Sequence, residues 1–317
     1  MTTESSSADS QISVAGRTNS QSLVHTIFIG PNGLRAGWRL LIFIAMVLAF
    51  RRSALFVVGH IPALRDWLAA QNRAAIDAGP QIFVESILVL AVFLPALVMS
   101  KIEARPFSAY GLPVSEAYGK RFWQGIPFGF GMMSLLLLLI AAFHGYSLDG
   151  ISSRGAQGIK YAILYAIGFL LVGLFEEFGF RGYMQYTLGS GIGFWPAALM
   201  LSFLFGYVHL GNPGEAKIGA FMAGSFGLLA AFTLRRTGNL WFAVGTHAAF
   251  DWTETYFYGV PDSGLIAQGH LLNSSFHGRD WLTGGSVGPE GSYFVFVVLI
   301  LSAIAVHYMF PAKQRAA

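Results

Sequence analysis

The sequence predicts an all-α protein that spans a membrane repeatedly, as a polytopic bundle of about eight transmembrane helices. Of its 317 residues, 54% are hydrophobic and only 11% are charged, whereas a soluble domain carries about 25% charged residues. The mean hydropathy is positive, at +0.56. Apolar stretches long enough to cross a bilayer also recur along the chain. These observations exclude a soluble domain and make the lipid bilayer a partner of the chain.

The chain divides into two regions. Residues 1–34 are rich in Ser, Thr and Gln and poor in aromatic residues, so they are predicted to form a disordered polar tail. Residues 35–317 are predicted to form the transmembrane bundle. The predicted spans are 36–58, 81–101, 122–144, 158–187, 195–210, 218–235, 239–258 and 292–310. In the third span, Gly125 and Gly129 predict close packing against another helix.

The distribution of basic residues predicts the orientation of the bundle. An even number of spans places both termini on one side, where 12 of the 20 Lys and Arg residues fall, against 8 on the other side. Cytoplasmic loops carry an excess of Lys and Arg. Both termini of this multi-pass protein are therefore predicted to be cytoplasmic, and in a bacterium the membrane would be the inner membrane.

Charge and cysteine content exclude several classes of function. The net charge of +4 is small and falls in loops, which suits an anionic membrane surface, so no nucleic acid partner is predicted. The chain has no cysteine. Disulfides, thiolate metal sites and a thiol nucleophile are therefore excluded.

Ionisable residues fall inside three of the predicted spans, while the second and third spans are predicted to contribute no interior charge. A charge at the bilayer centre costs about 2.5–3.5 kcal/mol on insertion scales, so such residues are candidates for function. The candidates are Glu176, Glu177 and Arg181 in the fourth span, His209 in the fifth, and His247 and Asp251 in the seventh.

The three groups are predicted to lie at similar depth. Counted inward from the loops on one membrane face, Glu176, His209 and His247 lie about 16, 21 and 12 Å deep, at a rise of 1.5 Å per residue. We therefore expect the three helices to bring these side chains together near the middle of the membrane.

Spacing within the fourth span separates the roles of its charged residues. Residues four apart share one face of a helix, so Glu177 and Arg181 are predicted to neutralise each other as an ion pair. Such a pair serves mainly as a structural brace. Glu176 is rotated by about 100° from Glu177 and is predicted to face a cavity.

The fifth and seventh spans repeat the four-residue offset. It places the ring of Phe205 beneath His209, and it places His247 and Asp251 on one face. The Asn-Pro-Gly sequence that begins at Asn212 predicts that the fifth helix ends just beyond His209. A single buried histidine is more often a polar contact than a catalyst. The convergence of groups from three helices is what indicates a functional site.

These residues form three short motifs that resemble those of a known family. EEFGFR (176–181), FGYVH (205–209) and HAAFD (247–251) resemble the EExxxR, FxxxH and Hxxx(N/D) motifs of the CPBP family of intramembrane proteases. This family includes the type II CAAX prenyl endopeptidases and the bacteriocin-immunity proteins. The order and separation of the motifs also match, and the resemblance places a catalytic core at about 158–258.

The resemblance implies a role for each motif residue. Glu176 would be the general base that activates a water molecule, and His209 would share that water. Glu177 and Arg181 would brace the helix.

The third motif departs from the prenyl endopeptidases, which usually carry Asn where this chain has Asp251. The resemblance implies that His247 and Asp251 stabilise the oxyanion or help to hold the water. An amide can donate a hydrogen bond, whereas a carboxylate can do so only when protonated. Asp251 therefore suits either a neutral acid in an apolar site or a metal ligand.

Metal dependence is left open by the motifs. Catalytic zinc sites use three N or O ligands and a water, and Glu176, His209, His247 and Asp251 are the candidate ligands. No His-Glu-x-x-His sequence is present, which excludes a zincin-type site. No cofactor is therefore certain, and Zn²⁺ is the alternative to metal-free activation of water by a glutamate.

The sequence thus predicts an intramembrane endopeptidase that hydrolyses a peptide bond with a water activated by Glu176 and His209. Its predicted substrate is a peptide or a membrane protein, and prenylation of that substrate is implied by the resemblance alone. Two alternatives stay open: a non-catalytic immunity or partner-binding membrane protein, and a proton-coupled transporter. The intact motifs disfavour the first, and the absence of an internal repeat disfavours the second.

Overall fold

A computed structural model of the chain describes residues 27–30, 33–70, 75–212 and 216–311. The fold is a helical bundle. Its α-helices are α1 Ala36–His60, α2 Pro62–Ala69, α3 Ala78–Ile102, α4 Lys120–Ala142, α5 Gly155–Glu176, α6 Gln185–Ile192, α7 Phe194–His209, α8 Lys217–Thr237, α9 Trp241–Trp252, α10 Asp280–Thr283 and α11 Phe294–Met309. Two π-helical segments follow motif-bearing helices: π1 is Glu177–Met184 and π2 is Thr253–Tyr258.

Short strands lie in the connections between helices. They are β1 Ile29–Gly30, β2 Gly33–Leu34, β3 Ala75–Ile76, β4 Tyr146–Ile151, β5 Ile266–Ala267 and β6 Leu272–Phe276. β1 pairs with β2 and β4 with β6 in antiparallel fashion, while β3 pairs with β5 in parallel. The pairings β3–β5 and β4–β6 attach the segment 259–291 to the rest of the bundle.

The prediction of an all-α membrane bundle is confirmed. Five helical stretches are long and apolar enough to cross a membrane: Ala36–His60, Ala78–Ile102, Lys120–Ala142, Gly155–Ile192 and Lys217–Thr237. α7 and α11 are apolar but shorter. Each predicted span overlaps one of these helices or the continuous helix formed by α9 and π2. The number of eight crossings stays a prediction.

The predicted N-terminal tail falls partly outside the described residues. The predicted disordered tail includes residues 1–26, 31 and 32, which are not among those described, and its last part contains β1 and β2. The first span contains Arg51 and Arg52 in its interior, and α1 continues through both without a break.

Glycine at the α4–α9 contact allows two backbones to touch. A Cβ atom on Gly125 would collide with the backbone oxygen of Phe242, and one on Gly129 would collide with that of Thr246. In membranes, helices associate by such small-residue packing, because lipid provides no hydrophobic drive between them. This close approach fixes the position of α9, which carries His247.

The fourth span changes its helical winding at the first motif. α5 ends at Glu176, π1 follows, and Gly182 then departs from helical geometry with φ −81° and ψ −111° before α6 begins. π-helical turns widen the helix locally and often occur at functional sites. The wider turn brings Glu177, Phe178 and Arg181 into the protein interior together.

Candidate active site

The two adjacent glutamates occupy different environments. Glu176 closes α5 and its side chain is 20% exposed, whereas the side chain of Glu177, the first residue of π1, is 0% exposed. Glu176 can therefore meet a small molecule or water, and Glu177 cannot. This difference agrees with the separation of roles that the helical rotation predicts.

Arg181 is enclosed by polar and aromatic groups of three elements. Its Nη1 lies 3.4 Å from Oε1 of Glu177, and its Nε donates to the backbone oxygen of Gly227 on α8 at 3.3 Å. Its guanidinium carbon lies 4.1 Å from the ring centroid of Phe205 on α7. The predicted ion pair therefore forms, and Arg181 also links π1 to α7 and α8.

His247 lies between three carboxylates. Its Nδ1 is 2.9 Å from Oε1 of Glu177, while its Nε2 is 3.6 Å from Oε2 of Glu176 and 3.5 Å from Oδ2 of Asp251. Because Glu177 is paired with Arg181, it is a carboxylate that accepts hydrogen bonds. The Nδ1 of His247 therefore carries a proton and donates to it. The Nε2 atom is thereby directed at Glu176 and Asp251.

His209 is oriented by its own helix. Its Nδ1 lies 2.7 Å from the backbone oxygen of Phe205, one turn earlier. Because a carbonyl oxygen only accepts hydrogen bonds, Nδ1 carries the proton and Nε2 is free to accept one. The ring of Phe205 lies 4.4 Å from the imidazole, centroid to centroid. α7 ends at His209, as the sequence predicts.

A cavity of about 530 Å³ joins the predicted residues. Glu176, His209, His247 and Asp251 all line it. The first turns of α3 and the segment 259–291 complete its wall. This volume is within the range of about 300–1,000 Å³ that is typical of small-molecule sites, so it can hold a few residues of an extended peptide.

The structure adds Glu85 to the site, which corrects the prediction that the second span has no interior charge. Glu85 lies on α3 and lines the same cavity as Glu176 and His247. It is close enough to both for electrostatic interaction. The signal was present in the sequence, since Glu85 interrupts the apolar run QIFVESILVL.

The segment 259–291 contributes carboxylates that the motifs do not include. Thr255 donates to Oδ2 of Asp262 at 2.9 Å, and both the backbone N–H and the hydroxyl group of Ser263 donate to Oε2 of Glu290. Burial and the negative charge of Glu290 together raise the pKa of Asp262 to about 7, although the hydrogen bond from Thr255 opposes this rise. Asp262 and Glu290 both line the cavity.

The predicted zinc ligands offer suitable atoms without being assembled around one point. A carboxylate that holds the Nδ1 of a histidine, as Glu177 holds His247, is common behind zinc-binding imidazoles. Among the described residues, however, the group of three whose ligand atoms all lie within 4.8 Å of one another is Glu254, Asp262 and Glu290. Glu176, His247 and Asp251 do not form such a group, so the arrangement does not fit a preformed zinc site.

Comparison with known proteins agrees with the motifs. Residues 157–253 match the family of type II CAAX prenyl endopeptidases described as Rce1-like, which corresponds to roughly a third of the chain. No curated protein and no solved structure matches the chain.

The apolar bundle and this match define an integral membrane protein of the peptidase class. The matched segment contains all three motifs, so the resemblance to the CPBP family, with its CAAX proteases, is confirmed.

Proposed function

We propose that the chain hydrolyses peptide bonds at its intramembrane cavity, with a water activated by Glu176 and His209. The contrast between the two glutamates is the observation that carries this proposal. Glu176 reaches the cavity and lies 3.6 Å from the Nε2 of His247, whereas Glu177 is fully buried and holds Arg181 and His247 in place. Glu176 is thus available for chemistry, while Glu177 supports the structure.

The proposed reaction begins with the removal of a proton from water by Glu176. The Nε2 of His209 accepts the second hydrogen bond of that water and orients it. The water oxygen then attacks the carbonyl carbon of the substrate, and negative charge develops on the carbonyl oxygen. A base of this kind contributes about 10²–10⁴-fold to the rate.

We assign stabilisation of the developing oxyanion to His247, with Asp251 beside it. The Nε2 of His247 is directed into the cavity because Glu177 holds its Nδ1. In the proposed mechanism both ring nitrogens carry a proton, so that Nδ1 donates to Glu177 and Nε2 donates to the oxyanion. Donors that are fixed before the reaction stabilise an oxyanion without reorganisation. Asp251 lies 3.5 Å from that Nε2, where it favours a protonated imidazole ring and holds the ring in its orientation. We propose the metal-free, glutamate type of mechanism on this basis.

We propose that the substrate is a peptide or a segment of a membrane protein. The family name of the matched segment makes prenylated C-terminal peptides one class to test. We also propose that both termini are cytoplasmic. Paired basic residues support this orientation, because Arg35 with Arg39 and Arg235 with Arg236 lie at helix ends on that face.

The test compares membranes that contain the wild-type protein with membranes that contain Glu176→Gln. This substitution keeps the size of the side chain and removes the proton acceptor. Peptides or proteins that accumulate uncut only with Glu176→Gln are the substrates, and their hydrolysis by purified protein should fall by about 10²–10⁴-fold. Glu116→Gln is the matched control, since Glu116 bonds the Asn239 amide away from the cavity.

The same comparison tests the alternatives. Near-normal hydrolysis by Glu176→Gln would remove this residue from the mechanism. No difference between the two proteomes, together with no hydrolysis by the purified wild-type protein, would favour a protein that binds a partner without cleaving it.

A further inference from the structure

Glu85 supplies a carboxyl group to the cavity that the mechanism so far does not use. It lies on α3, a helix that carries none of the three motifs, and it lines the cavity together with Glu176 and His247. Its Oε2 atom is buried and has no hydrogen-bond partner among the described residues. A buried polar atom in a native site that lacks a partner needs an explanation.

Amide hydrolysis has a second requirement besides an activated water. The leaving nitrogen must receive a proton as the C–N bond breaks, because an amide anion is a very poor leaving group. The neighbouring groups are assigned elsewhere: Arg181 is enclosed, and the Nδ1 of His247 donates to Glu177. In the proposed mechanism Glu176 and His209 face the attacking water. A separate proton donor on a helix that carries none of the motif residues would meet this requirement.

We propose that Glu85 is a further catalytic residue, the general acid that protonates the leaving amine. This inference rests on the proposed function. A carboxylic acid has one O–H donor, and the Oε2 atom without a partner can carry that proton towards a substrate. Glu85 and Glu176 line the same cavity, and a negative charge on one carboxyl group disfavours a negative charge on the other.

The protons balance over one cycle. Glu176 takes one proton from the water, the water oxygen bonds to the carbonyl carbon, and the C–N bond breaks as Glu85 gives its proton to nitrogen. The products are a carboxylic acid and an amine. The proton on Glu176 then passes to Glu85 through cavity water, which restores both groups, so no other reactant is consumed.

The test uses two substrates that differ in the need for this proton. One is a quenched fluorescent peptide selected by cleavage with the wild-type protein, and the other is an aryl ester of its acyl half. An aryl oxide leaves without a proton. Glu85→Gln should therefore lower kcat for the amide by about 10²-fold and for the ester by less than about 3-fold.

Gln81→Met is the matched control, because Gln81 lies one turn earlier on α3 and lines the same cavity without being ionisable. It should leave the ratio of amide to ester hydrolysis unchanged. Ester hydrolysis also reports that the Glu85→Gln protein is folded. Glu85→Asp, which keeps an acid, should retain more amide hydrolysis than Glu85→Gln.

Equal losses on both substrates, or an unchanged rate on the amide, would overturn the role of Glu85. If Glu85→Gln does not fold, Glu85→Met, which also removes the acid, provides the test, and an unchanged amide-to-ester ratio in that variant would overturn the proposal. A wild-type protein that cleaves no peptide in the selection would instead refute the proposed function itself, so the two failures are distinguishable.

Discussion

Replacing Arg181 with alanine tests whether the buried ion pair supports the structure or takes part in chemistry. The substitution removes the only guanidinium that pairs with Glu177 among the described residues, at 3.4 Å, together with the hydrogen bond to Gly227. Both members of the pair are inaccessible to solvent, with exposed side-chain fractions of 1% and 0%. Glu177 would therefore remain as a buried carboxylate with only His247 beside it.

The expected cost follows from that burial. Removing one partner of a buried pair destabilises proteins by about 3–5 kcal/mol, because an uncompensated charge remains. Each kcal/mol corresponds to about 2–4 °C in domains of 150–250 residues, so at the lower end of that range the apparent Tm of this longer chain should fall by about 6–10 °C. The 7 tryptophans allow this shift to be followed by intrinsic fluorescence in detergent.

A second substitution separates charge from packing. Glu177→Gln removes the charge that Arg181→Ala leaves behind and keeps an oxygen that can accept from His247. The double variant should therefore be more stable than Arg181→Ala alone, and the double-mutant cycle measures this coupling. An Arg181→Ala protein with an apparent Tm within about 2 °C of the wild type but no hydrolysis would refute the bracing role and indicate a role in substrate binding.

Three further predictions concern the helix contact, the metal and the pH. Gly129→Ala should lower the apparent Tm by at least about 5 °C, because its methyl group would collide with Thr246, whereas Gly131→Ala meets no atom within 4 Å and should not. Asp251→Asn should keep substantial activity with or without chelator, and metal analysis of the purified protein should find no stoichiometric zinc. The raised pKa of Asp262 means that the native state holds an extra proton between about pH 4 and pH 7. Stability should therefore fall as the pH rises through this window, by at most about 1.4 kcal/mol per pH unit, and Asp262→Asn should remove this dependence.

Clear results would contradict each of these predictions. Equal melting temperatures for the two glycine variants would show that α4 and α9 do not pack as described. One bound zinc per chain with chelator-sensitive activity would refute the metal-free mechanism. A pH dependence that persists in Asp262→Asn, measured with chelator present, would assign the titration to another group.

Local sequence patterns were sufficient to predict the helices and the contacts within each of them. Apolar runs longer than the thickness of the bilayer predict helices whatever their neighbours are. The four-residue offset then predicts that Glu177 pairs with Arg181 and that Phe205 lies beside His209. These contacts lie within single helices, so they depend on helical geometry alone.

Contacts between distant segments could not be derived in this way. Asp262 and Glu290 reach the cavity only because the segment 259–291 folds back over the bundle through β5 and β6. The widening of π1 has no periodic signature in the sequence. Glu85 is different, because its charge inside an apolar run is visible in the sequence. The prediction that the second span has no interior charge is therefore wrong on local evidence alone.

The places where α1 and α11 come near the cavity have a practical consequence for how the protein can be handled. Leu68 in α2, just after the end of α1, and Glu290, just before the start of α11, both line the cavity. The start of α1 and the end of α11 are therefore at the opposite face of the bundle, about 37 Å and 24 Å away along the two helix axes. We therefore expect a purification tag or fluorescent reporter joined beyond either of these ends to lie away from the cavity and not to compete with a substrate. Because the chain has no cysteine, single cysteines placed at the two faces would each carry one label, and a membrane-impermeant reagent would distinguish them.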